Sequence, residues 1–224
     1  MSDINKTVVI TGANRGIGLS FAKHFKADGY HVIGVCRGGS DDLNAVADRV
    51  IDGVDVSIAE GCEHLKSELA GTKIDILINN AGILSDEIFG HLNFDAMEKQ
   101  FLVNTLGVLR VTESLKDNII DGSKVAIITS RMGAIADNTS GGRYGYRMSK
   151  AAVNAAGMSL SHDLRPSGIA VGLFHPGYVM TDMTGGGGEI TPDTSAERLK
   201  ALIEQLDLSN TGTFWHSNGK ILPW

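Results

Sequence analysis

Short apolar runs alternate with longer helix-like segments along the whole chain, and this alternation leaves few folds open. The runs are Val8–Thr11, His31–Arg37, Val50–Asp55, Ile74–Asn79, Lys124–Ser130, Ile169–His175 and Gly212–His216. Most are rich in Val and Ile on consecutive positions, as strands covered on both faces are. Helical patterns lie near 16–28, 57–70, 94–117, 145–165 and 194–206, and the segment 41–48 is too short and polar to assign. Strand–helix–strand repetition predicts a parallel sheet with right-handed crossovers. At 224 residues the chain suits one domain. The expected fold is therefore a single doubly wound, Rossmann-type α/β domain over 1–224, with about seven parallel strands and helices on both faces.

Bulk properties narrow the partners. The net charge is −6 without a basic cluster, which argues against nucleic acid and anionic membrane. No apolar run approaches the ~18 residues of a membrane helix. The stretch Met1 to Thr7 is polar and lacks a signal-peptide layout, so a cytoplasmic location is expected. Cys36 and Cys62 have neither disulfide-framework nor metal-ligand spacing, and no metal is expected. They read as buried free thiols of a reducing compartment.

The first run ends in Thr11-Gly12-Ala13-Asn14-Arg15-Gly16-Ile17-Gly18, and an amphipathic helix follows. Gly12 lets the chain turn sharply, Gly16 removes a side chain where a ligand must come close, and Gly18 lets helix pack on strand. The helix N-terminus then offers N–H groups and partial positive charge to a pyrophosphate. A glycine triplet alone is ordinarily a turn; its place between a first strand and a helix points to a dinucleotide.

Further motifs follow in order: Asn79-Asn80-Ala81-Gly82 after the fourth run, Asn104, Ser130 after the fifth, Tyr146-Arg147-Met148-Ser149-Lys150, and Pro176-Gly177 after the sixth. With the glycine turn, they make the chain resemble the short-chain dehydrogenase/reductase family over nearly its whole length. Gly141–Arg147, His175–Met183 and the Pro223-Trp224 ending resemble a narrower branch, the C-factor and sniffer-type carbonyl reductases. The resemblance implies a cofactor site built from Gly12, Asn14, Arg15, Gly16, Ile17, Gly18, Arg37, Asp55, Val56, Asn80, Ala81, Gly82, Tyr146, Lys150, Pro176, Gly177, Val179 and Thr181. It also implies a catalytic set of Ser130, Tyr146, Lys150 and Asn104.

Tyr146 and Lys150 are four apart on a predicted helix, so they rise roughly 6 Å and share a face. An ammonium there favours the phenolate of a tyrosine whose ordinary pKa is about 10. Such a tyrosine gives a proton to a carbonyl oxygen as hydride reaches the carbon. Tyr144 competes for the role, but Met148 stands four residues after it. An isolated Tyr/Lys pair is usually a solvated helix face; the ordered motifs favour chemistry here. Ser130 closes a buried strand, where its hydroxyl can hold the developing oxyanion. By resemblance, Asn104 anchors a water near Lys150, Lys150 also bonds the nicotinamide ribose, and Asp55 meets the adenine amine.

Arg37 ends the second run where an acidic residue would favour NAD, and Arg15 can reach the same 2′-phosphate, so NADPH is the expected cofactor. The expected function is reduction of a small ketone, aldehyde or quinone; a ketoacyl-thioester reductase and a dinucleotide-binding signalling protein are the alternatives. His162 and His175 read as structural. Met132, Met180 and Met183 read equally as substrate-pocket walls or gap fillers. The Ala151–Gly157 run is either core or a helical interface of a homodimer or homotetramer. Gly185–Gly188 mark the loop 181–193 as a flexible substrate loop.

Overall fold

A computed structural model describes residues 6–224. The first five residues, on which the leader reading partly rests, lie outside it. The strands are β1 (Thr7–Thr11), β2 (His31–Val35), β3 (Arg49–Ile51), β4 (Ile74–Asn79), β5 (Ile119–Ile128), β6 (Ala170–His175) and β7 (Phe214–His216). The helices are α1 (Gly16–Ala27), α2 (Asp41–Asn44), α3 (Ala59–Glu68), α4 (Phe94–Phe101), α5 (Gly107–Ser114), α6 (Tyr144–Leu164) and α7 (Pro192–Glu204). All seven strands pair in parallel in the order β3-β2-β1-β4-β5-β6-β7. This is the expected single doubly wound domain.

Alternation along β1 explains the two layers. Val8 and Ile10 face one side, where Phe21 and Phe25 of α1 meet Leu199 and Ile203 of α7. Val9 faces the other, with Leu65 of α3, Val108 and Val111 of α5, and Val153 of α6. Both sides are dry, so consecutive strand residues are all apolar. Strand order reverses between β1 and β4, which opens a crevice at their carboxyl ends.

Three elements depart from the sequence reading. β3 stops at Ile51 rather than Asp55, because Gly53, with φ +70°, turns the chain. β5 starts at Ile119, before an Asp121-Gly122-Ser123 stretch that resembles a turn. Ile119 pairs with Ile74 and the register shifts before Ile76, so the strand absorbs an irregularity there. The helix expected over 94–117 is split by a π-helical turn, Leu102–Leu106, between α4 and α5. The segment 41–48 holds α2, whose first turn is capped by the Ser40 hydroxyl accepting the Leu43 amide.

Among the described residues no helix is long and apolar enough to cross a membrane. No group of three His, Cys, Asp or Glu residues is placed to hold a metal ion among them. Cys36 and Cys62 are buried free thiols.

Candidate active site and cofactor cleft

The crevice is a cleft of about 800 Å3. Its floor is the glycine turn. Gly12 has φ +65°, and a Cβ there would stand 2.9 Å from Ala81 Cα. A Cβ on Gly18 would lie 2.2 Å from the Gly12 carbonyl oxygen, so a side chain would push α1 off the turn. Arg15, the residue before α1, supplies no side-chain cap, and the first turn of α1 carries no acidic residue. The helix therefore presents unpartnered N–H groups and its positive end to the cleft. The donor set and the side-chain-free cradle fit a dinucleotide pyrophosphate.

Thr11, which the sequence reading took only as part of a strand, ties the turn to the next wall. Its Oγ1 accepts the Asn80 and Ala81 amides at 3.0 and 3.1 Å. Asn80 Nδ2 donates to the Thr11 and Gly12 carbonyls at 3.0 and 3.1 Å. The Asn80-Ala81-Gly82 motif is thus the brace that fixes the glycine turn.

Most expected cofactor residues line this one cleft: Gly12, Asn14, Arg15, Gly16, Ile17, Gly18, Arg37, Asp55, Val56, Asn80, Ala81, Gly82, Tyr146, Lys150, Pro176 and Thr181. Gly177 and Val179 stand behind the wall. Gly177, at φ +94°, packs on Ile190, and Val179 is buried and bridged to Ile190. Asp55 Oδ1 accepts the Ser57 amide and hydroxyl at 2.9 and 2.6 Å. These bonds hold its carboxyl below the usual range against the opposing effect of burial, and the charge of Arg37 adds to them.

Arg15, expected to reach the same phosphate as Arg37, is held by a carboxylate. Its Nη1 is 2.6 Å from Asp182 Oδ2, so the glycine turn and the loop after Pro176-Gly177 are joined across the cleft mouth. That loop is more closely folded than its glycines imply. The Met180 amide donates to the Ile190 carbonyl, and the Glu189 and Ile190 amides donate to the Tyr178 carbonyl. A Cβ on Gly188 would lie 2.4 Å from Met180 N, so this glycine lets two strands of the loop touch. Met180 and Met183 line the cleft mouth; Met132 borders a separate hollow with Glu87 and Arg143.

Tyr146 and Lys150 occupy successive turns of α6 and are 8% and 4% exposed. Lys150 Nζ lies 5.7 Å from the Tyr146 ring centre and donates to Ile128 O at 3.0 Å. The helical spacing therefore does bring them to one face of the cleft. Burial governs the protonation of both groups. Burial pushes the Tyr146 phenol up to about 12, against smaller opposing effects of hydrogen bonding to Ser130 and of the Arg143 charge. Burial also pushes Lys150 down to about 8. The apolar packing favours both neutral forms, and it outweighs any pull of the ammonium on the phenol. Ser130 Oγ also accepts the Met132 amide at 3.1 Å, which fixes the hydroxyl at the start of the following turn.

Asn104 sits inside the π-helical turn, an irregularity common at functional sites. Its Oδ1 accepts the Ile83 amide at 2.8 Å, and its Nδ2 donates to Ile83 O and to Ser149 Oγ. These bonds lock the chain after Gly82 to α6 one residue before Lys150. His175 is buried edge-to-face on His216 and pushed down to about 3 by burial, so it is neutral. His162 is exposed on the last turn of α6.

Comparison with known proteins agrees with this geometry. A family model described as short chain dehydrogenase matches residues 6–189. The chain is 40% identical to the 1-hydroxy-2-glutathionyl-2-methyl-3-butene dehydrogenase of Rhodococcus sp. (strain AD45), covering 97% of this chain and 99% of that protein. It is 42% identical to the C-signal protein of Myxococcus xanthus over 67% of this chain and 93% of the other. The NADPH-bound carbonyl reductase from chicken fatty liver superposes with a TM-score of 0.87 at 25% identity, covering 98% and 99% of the two chains. Matched by the family's own model over most of its length, the chain belongs to the short-chain dehydrogenase/reductase family.

Proposed function

We propose that the protein is an NADPH-dependent reductase of small ketones, aldehydes or quinones, with Tyr146 as proton donor. The observation that carries this reading is the burial of Tyr146 and Lys150 against the same cleft as the glycine turn. The fold also matches a carbonyl reductase that holds NADPH.

The reduced nicotinamide, when bound, supplies hydride to the carbonyl carbon. The protein's part is to bind, orient and protonate. The uncapped start of α1 receives the pyrophosphate. Ser130, fixed at the end of β5, donates its hydroxyl to the carbonyl oxygen as charge develops there. Tyr146 transfers its phenolic proton to that oxygen. A phenol held near 12 keeps its proton until an alkoxide, a far stronger base, forms beside it. The resulting phenolate is stabilised by the ammonium of Lys150, which Ile128 O holds in place. The Rhodococcus relative bears the name of a dehydrogenase, and the same groups run the reaction in that direction when Tyr146 takes the proton back.

The test is steady-state oxidation of NADPH with a panel of small ketones, aldehydes, quinones and a ketoacyl thioester. Turnover of a small carbonyl above the thioester supports the reading. Cofactor binding without turnover of any member would favour a signalling role.

A further inference from the structure

The helix that carries Tyr146 begins without a cap of its own. Arg143, the residue before α6, makes no side-chain bond to the helix amides, and the first turn of α6 contains no acidic residue. The open amides of a buried helix start require acceptors from elsewhere.

One comes from 58 residues upstream. Glu87 is 2% exposed, and its Oε2 accepts the Gly145 amide at 3.1 Å. Its Oε1 accepts the Ser85 hydroxyl at 2.5 Å and the Gln100 side-chain amide at 2.6 Å. A buried carboxyl group is tolerated only with such a full set of hydrogen-bond partners. The adjoining groups extend the grip. The Glu87 carbonyl accepts the Arg143 amide at 2.9 Å, and Asp86 Oδ1 accepts Arg143 Nε at 2.5 Å. Arg143 has φ +52° and is the sole non-glycine with positive φ among the described residues. Its left-handed turn is therefore held from both sides by two consecutive acidic residues.

We propose that Glu87 is a positioning residue for the reaction: its carboxylate, oriented by Ser85 and Gln100, fixes the Gly145 amide and with it the first helical turn bearing Tyr146. The inference rests on Tyr146 being the proton donor. Gly145 is confined on its other side as well, since a Cβ there would lie 2.5 Å from Gln100 Nε2 and 2.9 Å from Met97 Cα. Tyr146 follows directly, so fraying of this turn swings the phenol away from Ser130 and Lys150. Proton transfer is sensitive to displacements well under an ångström.

Two variants test the idea. In Glu87→Gln the new side-chain amide faces donors at both ends, from Ser85 and Gln100 on one side and Gly145 on the other, so its own NH2 group must oppose one of them. The swap Glu87→Gln/Gln100→Glu restores the donor–acceptor match between the two side chains, with the loss of the Gln100 bond to the Ala96 carbonyl. The amide introduced at position 87 then donates to the carboxylate introduced at position 100 and accepts from Gly145. We expect Glu87→Gln to lower kcat per folded enzyme about tenfold while NADPH affinity stays within about twofold. We expect the swap to recover most of the loss. If Glu87→Gln does not fold, Asp86→Asn takes its place, with an expected two- to threefold fall of roughly the size of an exposed ion pair. Wild-type kcat in the variant, or a loss of kcat matched by an equal loss of NADPH affinity, would overturn the proposal. So would a swap that recovers thermal stability but not kcat. Tyr146→Phe, assayed alongside, separates the two ideas: near-normal turnover in that variant removes the reading of Tyr146 itself.

Discussion

Lys150 stands over the Tyr146 ring, its Nζ 5.7 Å from the ring centre and tied to the Ile128 carbonyl. The phenol beneath it is held protonated by burial. Tyr146→Phe keeps the ring packing and removes the transferable proton. Turnover should fall by ~10²-fold or more, while NADPH still binds. Tyr144→Phe should change little, because that ring is only half-buried and has Met148 four residues on. Steady-state rates with direct cofactor titration check both.

The buried ammonium of Lys150 carries a stability cost. Its pKa falls to about 8 from an ordinary 10.5, so the folded state loses its proton before the unfolded chain does. Between those values the unfolded chain binds more protons, and stability rises with pH. Below about 8 the full penalty is present, on the order of 3 kcal/mol. Lys150→Met removes the charge and loses one bond to Ile128 O, which offsets part of the gain. We expect the variant to be inactive yet to melt roughly 3–8 °C higher at pH 7, with the difference shrinking towards pH 10. Melting curves from pH 7 to 10 decide it. Above 10 the Tyr146 phenol, held near 12, adds an opposite slope.

The sequence revealed what local periodicity encodes. Four-residue spacing put Tyr146 and Lys150 on one helix face, and apolar runs marked strands covered on both sides. Long-range pairings were not legible. No local pattern links Glu87 to Gly145 or Arg15 to Asp182, because these bonds follow from how separate loops converge at the sheet's carboxyl edge. The π-helical turn at Asn104 was hidden for another reason. One extra residue within a helix hardly disturbs the apolar period of 94–117, and the bonds of Asn104 to Ile83 and Ser149 are tertiary. The burial of Tyr146 was not legible either, because helical spacing reports a nearby ammonium but not the depth of packing around the phenol.

The loop between Thr181 and Pro192 has a base bonded across the loop and a tip closed only by local turns, in which the Gly185, Gly186 and Gly187 amides donate to the Asp182, Thr181 and Thr184 carbonyls. Such isolated turns open readily. Met180 and Ile190 are hydrogen-bonded at the base. At the tip, Gly185 and Gly186 have φ +62° and +82°, and nothing lies near the Cβ position of either. Ordering consecutive glycines is entropically costly. Amide hydrogen exchange should be fast from Gly185 to Gly188 in the free protein and slow down when a carbonyl compound joins the cofactor. Strong protection of the tip amides without substrate would contradict this.

Cofactor preference is expected to turn on three charged side chains at the rim. Arg37 lies two residues past the end of β2, on the cleft, where the adenosine ribose is expected. A guanidinium there offers charge-assisted bonds to a 2′-phosphate worth roughly 1.5–3 kcal/mol, or at least tenfold in affinity. Arg37→Asp should therefore narrow or reverse the ratio of kcat/KM for NADPH over NADH while leaving NADH use largely intact. Arg15 contributes on different terms, because Asp182 already holds it. To bond a phosphate it must leave that carboxylate, whose charge also repels the phosphate. Both partners are well exposed, at 65% and 80%, so their pair is worth at most about 1 kcal/mol. Asp182→Asn should thus raise NADPH affinity by no more than ~5-fold and leave NADH unchanged, with the share due to Arg15 lost in Arg15→Gln/Asp182→Asn and only the relief of repulsion remaining. Affinities must be compared at one salt concentration, since screening weakens each exposed contact. An unchanged NADPH:NADH ratio in Arg37→Asp would show that the phosphate is not read at β2. Equal gains for both dinucleotides in Asp182→Asn would mean that the ion pair closes the cleft mouth without discriminating between them.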